Sequence, residues 1–107
     1  MWSLWFDDPA SINICRWYGS GTTARGRIGG SATVTATQTL TGGLDALLVK
    51  INPTAKTAEF FFNSVSIGVL DYSAQGAAST LGRVRFERID NSGATGNSLS
   101  FDDLVVY

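Results

Sequence analysis

The chain contains no histidine, a single cysteine and only two prolines in 107 residues. Each shortage removes a class of chemistry. Without histidine there is no Ser-His-Asp or Cys-His relay for nucleophilic catalysis. One cysteine and no imidazole leave zinc without a ligand set. Cys15 alone cannot close an intrachain disulfide, so the chain is not a small domain held together by bridges. Basic charge is also scarce: six arginines and two lysines stand against nine acids, for a net charge of −1. That balance predicts no general attraction to nucleic acid or to anionic membranes. No apolar run approaches the roughly 18 residues of a membrane-spanning helix. The opening Met1-Trp2-Ser3-Leu4-Trp5-Phe6 lacks the basic segment and apolar length of a signal peptide.

What the chain has in quantity is small and turn-forming residues: twelve glycines, eleven serines and eleven threonines. With twelve aromatics beside Val, Ile and Leu to fill a core, disorder is excluded. The length suits one domain, residues 1–107. Hydrophobic alternation has a period of two along most of it. Trp2, Leu4 and Phe6 predict an inward strand face ended by Asp7-Asp8-Pro9. Ser11–Tyr18, a short stretch over 24–28, Thr33–Leu40 with a threonine face, and Leu44–Ile51 follow, separated by glycine pairs. Ala58–Phe62 and Val65–Leu70 flank Asn63-Ser64, which predicts a tight hairpin. In that hairpin Phe62 opposes Val65, Phe60 opposes Ile67 and Phe61 opposes Ser66. A small, polar loop is expected over 71–81, then strands at Arg83–Ile89 and Leu99–Tyr107. Eight or so short strands with no helix predict an all-β, antiparallel two-layer sandwich.

Four stretches resemble the concanavalin A-like, laminin-G-like jelly rolls. These are Trp2-Ser3-Leu4-Trp5-Phe6, Leu44-Asp45-Ala46-Leu47-Leu48-Val49-Lys50, Ala58–Gly68 with Asn63-Ser64 at the turn, and Ser100-Phe101-Asp102-Asp103-Leu104-Val105-Val106-Tyr107. The resemblance implies a jelly-roll sandwich. It also implies further strands ahead of Trp2, so the chain is then a minimal version, a fragment, or a subunit whose sheet a neighbour completes. Many such domains hold a structural Ca²⁺ near the closing Asp-Asp strand, which nominates Asp102, Asp103, Asp7 and Asp8 as oxygen ligands. The alternative reading of these residues is plain: Asp7 and Asp8 end a strand and Asp102 accepts backbone N–H groups.

Function is expected to be binding, not catalysis. Some folds of this kind are glucanases whose catalytic strand reads E-x-D-x-x-E, and Glu59 and Glu87 lie in no such pattern. Gly19-Ser20-Gly21-Thr22-Thr23-Ala24 matches a dinucleotide fingerprint, but Gly26, Gly29 and Gly30 oppose the helix that motif requires, so it reads as a turn. A lectin-like role points to aromatics as sugar platforms: Trp5 and Phe61, which alternation places away from the core, with Trp17, Tyr18 and Arg85. Arg83, Arg85 and Arg88, with Arg16, Arg25 and Arg27 elsewhere, offer guanidiniums to sulfate or phosphate; the plainer reading is a solvated strand face interleaved with Glu87. The partner is then a carbohydrate. The second reading is a structural subunit, such as a virion or surface-fibre component, in which a neighbouring copy covers Trp5 and Phe61. Both roles suit an extracellular or virion-associated setting.

Overall fold

The computed structural model describes residues 1–29, 33–77 and 80–88, with the backbone alone at Arg88. These form eight strands: β1 (Trp2–Asp7), β2 (Asn13–Ser20), β3 (Thr23–Arg27), β4 (Gln38–Thr39), β5 (Leu47–Asn52), β6 (Thr57–Phe62), β7 (Val65–Asp71) and β8 (Arg83–Arg88). Two antiparallel sheets result, one ordered β4-β3-β2-β1-β8 and the other β5-β6-β7. The all-β sandwich predicted by the period of two is the architecture found. Among the described residues no helix is long and apolar enough to cross a membrane.

The core lies between the sheets. From the five-stranded sheet come Trp2, Leu4, Phe6, Cys15, Trp17 and Ala24, with Ile28 just after β3, and from the other Ala58, Phe60 and Leu70, all buried. Trp17 meets Phe60 edge-to-face, with ring centroids 5.2 Å apart. This is the favoured geometry for aromatic quadrupoles. The contact needs glycine opposite it: a Cβ on Gly26 would stand 2.5 Å from the Phe60 ring. Gly19 makes the same room for Trp2, its cross-strand partner, whose indole lies where a Cβ would be.

The hairpin has the predicted turn. Asn63 and Ser64 both take positive φ, 47° and 70°, the mirror-image turn that matches strand twist. Phe62 pairs with Val65 and Phe61 with Ser66, as the tight turn requires. A bulge between Phe60 and Phe61 then shifts the register, so Phe60 pairs with Gly68 and not with Ile67. One extra residue on a bulged strand re-aims the side chains beyond it. Val65 is 65% exposed despite its inward register, because it sits at the turn end of the sheet.

Two other expectations change. The threonine-rich stretch is no continuous strand: Thr35 takes both the N–H and the C=O of Gly26 and lies buried, which leaves a bridge at Val34 and two ladder residues in β4. The loop after β7 is not wholly polar surface. Tyr72 and Ala77 are buried, and Lys56 ties the segment down by donating to the Ala77 carbonyl while its own carbonyl accepts from Tyr72. In the five-stranded sheet β1 is flanked by β8 on one edge and by β2 on the other, and the strand expected over Leu99–Tyr107 lies outside the described residues.

Candidate functional site

The cross-strand registers place two rows of side chains on the outer face of the five-stranded sheet. Arg27, Arg16, Trp5 and Arg85 lie in one row, contributed by β3, β2, β1 and β8. Arg25, Tyr18, Ser3 and Glu87 form the next. Asp7 and Arg83 extend the face at one end. Alternation dictates this: on β1, β2 and β3 the inward neighbours are core residues, and on β8 Val84 packs against the core while Phe86 is 43% exposed, so the outward positions carry charge and aromatic rings.

Trp5 stands between two guanidiniums. That of Arg16 is 4.2 Å from the ring centroid and that of Arg85 is 4.5 Å away, one from the strand on either side. The cover sought for this indole is therefore arginine from its own chain. Tyr18 has the guanidiniums of Arg16, Arg25 and Arg27 at 5.3, 5.4 and 5.5 Å from its ring. Arg16 thus joins the two aromatics, and its Nη1 donates to Ser3 Oγ at 3.3 Å. Arg16 is only 9% exposed. Its burial first, and the Arg27 cation second, lower its pKa from the usual guanidinium range.

The carboxylates gather toward β8. Asp7 is fully buried and its Oδ2 accepts from Arg83 at 3.0 Å and from Arg85 at 3.2 Å. Asn13 donates to Asp7 Oδ1. Burial opposes the charge of Asp7, but these hydrogen bonds outweigh it and hold its pKa below the usual carboxylate value. Arg85 also reaches Glu87, at 3.3 Å. Toward β3 the face is basic.

Tyr18 forms a wall between two shallow depressions. One, of about 220 Å³, is lined by Met1, Trp2, Ser3, Arg16, Arg27 and Glu87 beside Tyr18. The other, of about 300 Å³, adds Ser20, Thr23, Arg25 and Thr37. Both offer a mixture of guanidinium, hydroxyl and aromatic surface. No family model, curated protein or solved structure matches this chain.

The residues expected to bind ligand divide three ways. Trp5, Tyr18 and Arg85 share the face just described. Phe61 lies on the outer face of the other sheet, between Leu48 and Ser66, with Lys50 Nζ 4.9 Å from its ring. Trp17 is completely buried against Phe60 and presents nothing to a ligand. Its flanking positions, Arg16 and Tyr18, take the outward direction. Arg16, Arg25 and Arg27 were set apart from the β8 arginines in sequence; only strand pairing brings the two groups together.

Asp7 and Asp8 serve separate networks. Asp8 Oδ1 accepts from the N–H groups of Ala10 and Ile12 at 2.9 and 2.8 Å, closing the turn between β1 and β2. Asp7 faces arginines. The pair does not fit a shared cation, since both Asp7 oxygens and Asp8 Oδ1 are engaged by N–H donors in separate networks. Asp102 and Asp103 lie outside the described residues.

Proposed function

We propose that this chain is a non-catalytic, lectin-like carbohydrate-binding module of jelly-roll type, with the outer face of its five-stranded sheet as the binding surface. The observation that carries the reading is the pair of depressions flanking Tyr18, where one half-exposed ring is ringed by hydroxyls and guanidiniums. A sugar ring needs an apolar patch for its C–H face and fixed donors and acceptors for its hydroxyls. Tyr18 supplies the first; Ser20, Thr23, Arg25 and Glu87 supply the second. Trp5 acts as a spacer that holds Arg16 and Arg85 upright, not as the stacking platform. A glycan array tests the reading: the chain retains a defined set of glycans, and Tyr18→Ala loses them while its melting temperature stays within a few degrees. Retention unchanged in Tyr18→Ala contradicts it.

A second reading, a structural subunit, draws on the other sheet. Leu48 and Val69 are 40% and 57% exposed on its outer face, which also carries Phe61. Exposed apolar groups in one region favour contact with a neighbouring copy. The mass in solution distinguishes the readings, since this one requires an oligomer that Val69→Asp dissociates.

A further inference from the structure

The outer face of the five-stranded sheet carries five guanidiniums against two carboxylates, although the whole chain has a net charge of −1. The two carboxylates are met by Arg83 and Arg85 on β8. The β2–β3 side concentrates Arg16, Arg25 and Arg27 around one tyrosine ring. Like charges at such spacing repel, and the burial of Arg16 sharpens the cost. Arg16 Nε and Trp5 Nε1 are also shielded from solvent with no acceptor among the described residues. Among the described residues, β2 and β3 place three guanidiniums and no carboxylate on this face.

We propose that the ligand of this face is an acidic polysaccharide, a sugar chain bearing carboxylate or sulfate groups, which lies across the strands along the Arg27–Arg16–Arg85 row. The inference rests on the carbohydrate reading above and names the class of sugar. Guanidinium matches carboxylate and sulfate in a two-point fork, which lysine cannot do. A polymer suits the layout better than a single small anion. The row crosses four strands, and at about 4.8 Å per strand its ends stand about 14 Å apart. Glu87, at the β8 end of the second row, repels an acidic group there and gives the bound chain a direction. A single-stranded nucleic acid fits less well, because bases need open aromatic faces for stacking. Two guanidiniums already lie against Trp5, from the strands on either side, and Tyr18 alone remains.

The test is titration calorimetry of the full chain with polygalacturonate, dextran sulfate, neutral dextran and single-stranded oligothymidylate, at two salt concentrations. The expected result is binding to one or both acidic polysaccharides, weakened by salt, with the better of the two identifying carboxylate or sulfate as the recognised group. Arg25→Gln/Arg27→Gln is expected to weaken it about tenfold and to flatten its salt dependence. Should that variant fail to fold, Tyr18→Phe and the salt dependence of the unaltered chain carry the same comparison, the ring keeping the site and the salt reporting the charge. Binding to neutral glycans with no response to charge or salt overturns this inference and leaves the carbohydrate reading standing. Tighter binding to oligothymidylate than to either acidic polysaccharide overturns it in favour of nucleic acid. Binding to no glycan, neutral or acidic, overturns both.

Discussion

The Arg16 guanidinium lies 4.2 Å from the centroid of the Trp5 ring. With Arg85 on the opposite flank, the indole is held between two cations. Cation–π contacts of this kind contribute about 0.5–2 kcal/mol, more as they lose water. The apolar stems of both arginines also lie along the ring. Trp5→Ala should therefore destabilise the fold by about 1–3 kcal/mol in denaturant titrations, although Trp5 is no part of the core. Trp5→Phe should recover part of the loss. A neutral Trp5→Ala would mean that the guanidiniums do not depend on the ring.

The core aromatic that matters most is Phe60. It is fully buried and receives the edge of Trp17. Phe60→Ala should cost about 3–5 kcal/mol. Phe62, at the turn end of the same strand and only partly buried, should cost less than half as much. Gly26→Ala should be nearly as harmful as Phe60→Ala, since its new methyl group meets the Phe60 ring. Chemical unfolding of the three variants checks the order.

Asp7 makes stability depend on pH. Its carboxyl titrates below its unfolded value, so its contribution is present in full above about pH 4 and is lost as pH falls through the folded value. Asp7→Asn keeps an acceptor but removes the charge that Arg83 and Arg85 share. It should cost about 1.5–3 kcal/mol at pH 7, and the gap to the unaltered chain should close in acid. A gap that is constant from pH 7 to pH 2 would contradict the ion-pair account.

Asp8 accepts hydrogen bonds in the turn between β1 and β2. Asp8→Asn retains an oxygen for the Ala10 and Ile12 N–H groups and should stay within about 1 kcal/mol of the unaltered chain, whereas Asp8→Ala should lose about 1–2 kcal/mol. Melting curves with Ca²⁺ and with chelator bear on the same residue. If Asp8 instead held Ca²⁺, Asp8→Asn would abolish a Ca²⁺-dependent rise in melting temperature.

Much of this architecture was legible in the chain. Trp2, Leu4 and Phe6 face inward as alternation requires, and Asn63-Ser64 forms the hairpin turn. The bulge opposite Phe60 and Phe61 had one signal in the chain, Gly68 inside β7, and a strand glycine could equally pack as a plain residue; only the structure shows its φ of 149° and the extra Ile67 beside it. The role of Thr35 escaped because a threonine face reads as solvent-facing, whereas here one hydroxyl is buried against Gly26. The candidate site was half visible. Trp5, Tyr18 and Arg85 stood out singly, but the row through Arg27, Arg16 and Arg85 exists only once β3, β2, β1 and β8 are laid side by side. Trp17 misled because its size suggested a platform, although its parity with Cys15 points inward.

The arginine side chains themselves give the most direct measurement. Nε–Hε resonances of Arg16, Arg25, Arg27 and Arg85, followed by nuclear magnetic resonance during titration with an acidic oligosaccharide, report on the proposed face residue by residue. These four should shift together and saturate at one affinity, with Tyr18 ring signals moving alongside them. Shifts confined to Lys50 and Phe61 on the opposite sheet, with the four arginines still, would contradict the assignment of this face.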